Sequence, residues 1–394
     1  MLDRKLRVCH LSKYYPPVAG GIETHVRTLA HAQAELGASV QVLCVNHQPG
    51  PTVVEADGPV EICRIRRVAS VAKLDACPGL VRELEQIEAD VLHLHVPNPT
   101  MILALLAARQ RAEPIVVVTY HSDAIKQRVR RVLFRPLERL AYRRVRAILP
   151  TSPAYAAGSP FLQSYHDRLY VLPLGIDLAM YLEPAAADRA EADQIQAAHA
   201  GPLWFSCGRM VYYKGFEIAI RALSQVRGTL LLAGDGPARP RLEAEAGRLG
   251  LADRVVFLGA VPRVLPYYLA ARAFWFPSNA RSEAFGLVQV EAMASGCPVI
   301  NTSIPHSGVS WVSPHEQTGL TVPMDDPEAL AASARRLLDE PGLRDRLATE
   351  ARARAVREFD HRVMARRSLA LYEHVLSGAP AGCLGERPVL AEKG

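Results

Sequence analysis

The chain of 394 residues has no apolar run of transmembrane length: the stretch Met101 to Ala108 is among the longest and stops at Arg109. The amino terminus, Met1-Leu2-Asp3-Arg4-Lys5, lacks the apolar core of a secretory signal and leads straight into a strand. Cysteine is sparse and irregular, with seven residues at 9, 44, 63, 77, 207, 297 and 383. The number is odd and the spacing is not that of metal ligands, so a disulfide framework is excluded and reduced core thiols in a cytoplasmic protein are expected. No nucleic-acid module is present and aromatics are not interleaved with the basic residues, so nucleic acid is not an expected partner. The dinucleotide fingerprint is incomplete, because Gly234-Asp235-Gly236 is followed by Arg239 where the third glycine would stand, and a dehydrogenase is disfavoured. No Asp-x-Asp lies in a suitable loop, since Asp325-Asp326 opens a C-terminal helix.

What remains is an ordinary globular composition, 49% hydrophobic and 22% charged, in a chain too long for one ordinary core. Two domains follow. The net charge of +6 is uneven: residues 1–175 carry 22 basic and 15 acidic residues, the rest 24 and 25. Nine basic residues and one acid, Glu138, fall within 126–146. There Val129, Val132, Leu133, Leu137 and Leu140 make one side of a helix and Arg128, Arg131, Arg135, Arg139 and Arg143 the other, with Pro136 expected to kink or split it. Such a helix is either half-buried with a solvated basic face or a patch for anionic membrane lipid or a lipid-diphosphate substrate.

Strands and helices alternate along both halves. Leu6 to Leu11 is a first buried strand, followed by a loop ending in Gly20-Gly21 and a helix from Ile22 to Leu36. Gly20 and Gly21 at a helix start either form a plain tight turn or let a phosphate or sugar approach the backbone. Val40 to Val45, Val91 to His95 and Ile115 to Thr119 continue the sheet, and the last runs into Tyr120-His121-Ser122-Asp123. Ligands of open parallel sheets bind beyond the carboxyl ends of strands, where His121 sits, although a lone histidine is as often structural. Residues 176–200 read as an inter-domain linker. A second series opens with Leu203 to Cys207, then Arg209 and Lys214 before a helix, two cations able to neutralise a diphosphate.

The second half centres on residues 281–296, read as a loop, a short helix starting near Phe285 or Gly286, and Gly296 past its end. The first amides of that helix point at whatever lies before it. Glu283 lies in the loop at its mouth and Glu291 inside the helix. Taken singly, either carboxylate suits dipole compensation or a solvated face as well as a ligand. Glu291 has apolar or small neighbours on both sides, so an ionised side chain there needs a partner.

In combination these stretches resemble glycosyltransferase family 4. The typical pieces are Ser12 to Glu23, Leu172 to Asp177, Cys207 to Gly215, Ala233 to Pro237 and Ser282 to Pro298, and the resemblance runs from about Leu6 to Leu376. The Tyr120-His121-Ser122-Asp123 version is similar to members that build bacterial surface polysaccharides, often mannosyltransferases. The resemblance implies an α/β GT-B fold, two Rossmann-like doubly wound domains facing across a cleft. An acceptor-binding domain would span 1–180, a nucleotide-sugar-binding domain 201–360, and a helix at 361–378 would cross back onto the first. Arg209 and Lys214 would hold the donor diphosphate, Glu283 the donor sugar and Glu291 the ribose. The amides of Phe285, Gly286 and Leu287 would meet sugar or phosphate, Gly20 and Gly21 the phosphate, and His121 the sugar. The implied enzyme is a retaining hexosyltransferase using GDP-mannose or another nucleotide diphosphate sugar, without a metal or other cofactor, and a lipid-linked or saccharide acceptor. It would be cytoplasmic, at the inner face of the plasma membrane through 126–146. A sugar-nucleotide epimerase and a non-catalytic glycan-binding subunit are the alternatives; the intact donor set argues against the second.

Overall fold

The computed structural model describes residues 4–18, 20–71, 74–110, 113–121 and 128–378, with the side chains of 128–134 left aside. The chain divides into two compact units, residues 1–175 with the chain from His361 onward, and Ile176–Asp360.

In the first unit a seven-stranded sheet is built from β1 (Arg7–Leu11), β2 (Ser39–Val45), β3 (Val53–Asp57), β4 (Val60–Ile65), β5 (Val91–Val96), β6 (Ile115–Tyr120) and β7 (Val145–Pro150). The order is β3-β4-β2-β1-β5-β6-β7, parallel except for β3. Runs such as Val116-Val117-Val118 are buried on both faces, the signature of a sheet covered by helices on each side. The hairpin of β3 and β4 departs from the expected strand-helix alternation: Val53 and Val54 are exposed, so this edge strand carries no buried pattern to read. Helix α1 (Gly21–Glu35) follows β1, with extended Gly20 as its cap and Glu23 in its first turn. The basic helix α2 (Arg128–Tyr142) runs unbroken through Pro136. The expected apolar side is not all inward, since Leu137 and Leu140 are 40% and 46% exposed. Arg135 lies over the Phe161 ring at 5.6 Å, and Lys126 lies outside the described residues. The last helix, His361–Ser377, packs on α1, buries Met364, Leu371 and Tyr372, and so belongs to this unit.

The second unit holds β8 (Leu203–Cys207), β9 (Thr229–Ala233), β10 (Val255–Gly259), β11 (Ala273–Phe276), β12 (Val299–Thr302) and β13 (Gly319–Val322). Its order, β10-β9-β8-β11-β12-β13, is fully parallel and doubly wound, with the winding reversing between β8 and β11. Trp204 and Trp275 stack at 5.0 Å in its core, burying two of the largest side chains of adjacent strands. Residues 176–200 are not an open linker. Helices Ala179–Leu182 and Ala186–Ala197 form here, and the longer one packs against Leu265–Ala270 within this unit. The alanine-rich composition that reads as a linker is also a strong helix former.

Candidate functional site

Ligands of doubly wound sheets sit beyond the carboxyl ends of the two strands where the winding reverses. In the second unit these are β8 and β11. Beyond β8 the chain passes Arg209, whose side chain is exposed, and a short 3-10 turn, Tyr212–Lys214. Gly215 then takes a left-handed φ of 68° and opens helix α3 (Phe216–Leu223). A β-carbon at Gly215 would stand 1.9 Å from the Pro277 carbonyl oxygen, so this close approach of the two loops admits only glycine.

Beyond β11, Glu283 faces back. Lys214 Nζ donates to Glu283 Oε2 at 2.6 Å, and the two side chains are 13% and 12% exposed. Ser278 Oγ lies 3.5 Å from the same carboxylate oxygen. Burial works to lower the Lys214 pKa, but the Glu283 charge and hydrogen bond outweigh it and hold the ammonium above the ordinary lysine value. Lys214 Nζ also lies over the Phe276 ring at 5.1 Å. The sequence assigns these two residues to separate ligand groups; the fold pairs them across 69 positions of chain.

Gly286, at φ 78°, caps helix α4 (Leu287–Ala294), and a β-carbon there would meet the Phe276 ring at 2.7 Å. The helix therefore begins one residue past the expected range, with its first amides directed toward the Glu283 loop. Phe285 is buried and packs edge-on against Phe359 at 5.6 Å, so its side chain anchors the loop. Glu291, on α4, is largely enclosed. Burial raises its pKa to about 7, against the hydrogen bonds of Tyr268 and Tyr181, which favour the carboxylate. Tyr268 Oη donates to Glu291 Oε2 at 3.1 Å. Neither tyrosine was singled out from the sequence; each is distant in the chain and carries no local motif.

In the first unit, Gly20 and Gly21 stand at the start of α1 beyond β1. Gly20 is extended, and a β-carbon there would meet only the flexible end of Glu23 at 2.1 Å. His121 follows β6 and is buried; Ser122 and Asp123 lie outside the described residues. It does not stand alone. His10 on β1, His25 on α1 and His93 and His95 on β5 are buried with it, and His10 and His93 are register partners. Two triplets, His10-His93-His95 and His25-His95-His121, bring ring nitrogens within 4.8 Å of one another. Burial depresses all five imidazoles, to about 3 at His121 and about 4 at His10. His-x-His on a buried strand places both rings on one face, a signal the sequence carries but a strand reading passes over. A cavity of about 850 Å³ near Arg109, Arg144 and Arg168 lies at the amino ends of β5 to β7, away from these residues.

Two family descriptions match this layout: "Glycosyl transferase 4-like domain" over residues 20–175 and "Glycosyl transferases group 1" over 201–340. D-rhamnosyltransferase WbpZ of Pseudomonas aeruginosa is 34% identical over 356 residues, covering 89% of this chain and 91% of its own. The chain belongs to glycosyltransferase family 4. O-antigen chain mannosyltransferase C of Escherichia coli is 30% identical over 372 residues, covering 91% and 96%. Sucrose-phosphate synthase from Thermosynechococcus elongatus superposes with a TM-score of 0.76 at 25% identity, over 95% of this chain and all of that one. The protein is a glycosyltransferase with the GT-B fold, two Rossmann-like doubly wound domains. Among the described residues no helix is long and apolar enough to cross a membrane.

Proposed function

We propose that this glycosyltransferase moves a hexose, mannose as the first choice, from a nucleotide diphosphate sugar to a lipid-linked or saccharide acceptor of a bacterial surface glycan, with retention of configuration. The observation that carries the donor assignment is the Lys214–Glu283 pair where the winding reverses, beside exposed Arg209. A buried cation matched by one carboxylate is well suited to meet a diphosphate, whose charge grows as the sugar leaves. Arg209 adds a planar donor set for phosphate oxygens. Glu283 then serves the donor sugar hydroxyls, Glu291 the ribose hydroxyls, and the amides of Phe285, Gly286 and Leu287 the sugar or phosphate. In the first unit Gly21 leaves backbone open to phosphate, Gly20 does so once the flexible Glu23 carboxylate moves off it, and His121 meets a sugar hydroxyl.

In the reaction the bond from the anomeric carbon to the phosphate oxygen breaks, and a bond to the acceptor oxygen forms on the same face. The acceptor proton passes to the departing phosphate oxygen, so the nucleotide diphosphate leaves carrying it. This route uses no enzyme nucleophile and no metal ion. The choice of mannose is supported by the name of a relative that transfers mannose, and the GDP carrier rests on the resemblance around Tyr120 and His121 alone. The exposed Leu137 and Leu140 on basic helix α2 support a peripheral contact with anionic membrane at the inner face of the plasma membrane.

The test is a thermal-shift screen against GDP-, UDP- and dTDP-sugars, followed by product analysis with and without a lipid-linked acceptor. The expected result is stabilisation by one carrier and sugar transfer only with acceptor. Turnover of the sugar nucleotide to an isomer without acceptor would replace transfer by epimerisation, and no stabilisation by any carrier would remove the donor assignment.

A further inference from the structure

The hydrogen bonds around the buried histidines have one consistent direction, set at a distance from His121. Ser368 Oγ donates to the Ala365 carbonyl at 2.7 Å, so it accepts from Gln33 Nε2, also at 2.7 Å. That fixes the Gln33 amide: Nε2 faces Ser368 and, at 3.2 Å, the Tyr372 hydroxyl, while Oε1 faces His10 Nε2 at 2.8 Å. An amide oxygen only accepts, so His10 carries its proton on Nε2. A neutral ring then has a bare Nδ1, and this atom lies 3.0 Å from His95 Nε2. His95 must donate there, which leaves its own Nδ1 bare, 3.2 Å from His121 Nε2. His121 donates in turn and is left with an unprotonated Nδ1. The side branch agrees: Tyr372 donates to His93 Nδ1 at 2.6 Å, and His93 Nε2 donates to Thr119 Oγ1 at 2.6 Å. Full burial keeps every ring in the chain neutral, as this reasoning requires.

We propose that Gln33, His10 and His95 are positioning residues that hold His121 in the Nε2–H tautomer, so that it meets its ligand as a hydrogen-bond acceptor through Nδ1 and selects a hydroxyl over a phosphate or carbonyl oxygen. This rests on the reading that His121 touches the sugar. A phosphate or carbonyl oxygen has no proton to offer a bare nitrogen, whereas a sugar hydroxyl does. The signal originates at Gln33, which lies on α1 and is fully buried, so it acts through the rings. His25 packs edge-on to His121 at 4.9 Å, and among the described residues neither of its buried ring nitrogens has a hydrogen-bond partner. This makes a metal on His25, His95 and His121 the competing account. A metal there would occupy one bare nitrogen on each of the three rings, so binding of added metal separates it from a hydroxyl contact.

Two measurements on the full chain decide. Nitrogen-15 NMR of histidine-labelled protein should show His10, His95 and His121 as Nε2–H tautomers, with His121 Nδ1 unprotonated. A protonated His121 Nδ1 would overturn the proposal, as would stoichiometric binding of added zinc that shifts the His25, His95 and His121 signals together. The second is a double-mutant cycle read as GDP-mannose turnover with acceptor. Gln33→Leu removes the acceptor that polarises the chain and should lower kcat by about tenfold, the worth of one hydrogen bond to a buried group. In a His121→Ala background, Gln33→Leu should cost nothing further; an undiminished cost there would assign Gln33 a merely structural role. Near-normal turnover by His121→Ala alone would instead remove the sugar contact, while the NMR result would stand. If Gln33→Leu does not fold, the wild-type tautomers alone decide.

Discussion

The two units are built alike, but their candidate residues differ in kind. Each is a doubly wound sheet with its candidate residues beyond the carboxyl ends of central strands. In the second unit those residues are charged: Arg209 exposed, Lys214 and Glu283 paired at 2.6 Å, Glu291 enclosed. In the first they are glycines and neutral imidazoles, where burial suppresses protonation. The difference teaches where charge is needed. A leaving diphosphate gains charge and calls for fixed cations, whereas a sugar hydroxyl calls for directed hydrogen bonds and a ring held in one tautomer. Changes in the second unit should therefore act on charge, and changes in the first on hydrogen-bond direction.

The largest effect is expected at Lys214. Lys214→Met should lower kcat/KM by about a thousandfold, the scale of losing one electrostatic stabiliser of a leaving group. It also leaves Glu283 buried without its partner, which costs stability of about 3–5 kcal/mol. The double variant Lys214→Met with Glu283→Gln should recover that stability in a denaturant titration and remain inactive. Recovery of both would make the pair structural and blur the contrast between the units.

Next comes the backbone that aims the second site. Gly286→Ala forces a β-carbon onto the Phe276 ring at a φ of 78°. Thermal unfolding should show a loss of about 1–3 kcal/mol, the range for a non-glycine residue held in that conformation. An unchanged melting temperature would show that the loop before α4 adapts freely.

A smaller effect, in pH, separates an enclosed carboxylate from the suppressed imidazoles. Glu291 has a folded pKa near 7 against an ordinary value of 4.5. Between these values the folded state holds the extra proton, so this group's contribution to stability falls as pH rises through the window. With Glu291 in its proposed role, nucleotide affinity should move the other way, since the carboxylate is the form that accepts from both ribose hydroxyls. From pH 6 to pH 8 the affinity should rise by up to about tenfold, following the ionised fraction. In Glu291→Gln the dependence should vanish. A flat wild-type profile would place Glu291 outside the nucleotide site.

The last effect concerns α2 and acts on membrane binding, outside turnover and folding stability. Charge reversal at Arg128, Arg131 and Arg135 should release the protein from anionic vesicles and leave neutral ones unaffected, at about 1 kcal/mol per charge. Unchanged flotation would count against membrane contact.

Much of the fold was legible because buried parallel strands announce themselves as short apolar runs closed by a glycine or proline, as at Leu203–Cys207 before Gly208 and Ala273–Phe276 before Pro277. The antiparallel edge β3 was not, since Val53 and Val54 face solvent. The helices within 176–200 were hidden by an alanine-rich stretch without the usual N-cap side chain: Ala185 cannot supply a side-chain oxygen, and the helix start is held instead by Asp188 Oδ2, which accepts from the Ala185 N–H at 3.1 Å. At the site, the individual residues stood out by their places after strands. Their partners did not, because the Lys214–Glu283 pair and the Gln33–His10–His95–His121 chain join positions that only the sheet order brings together.

Calorimetric titration of GDP, UDP and dTDP into wild type, Lys214→Met and Gln33→Leu tests the division most directly. One nucleotide should bind wild type and Gln33→Leu alike and bind Lys214→Met at least about tenfold more weakly, the equivalent of one charged contact. Equal binding by wild type and Lys214→Met, with loss in Gln33→Leu, would contradict it.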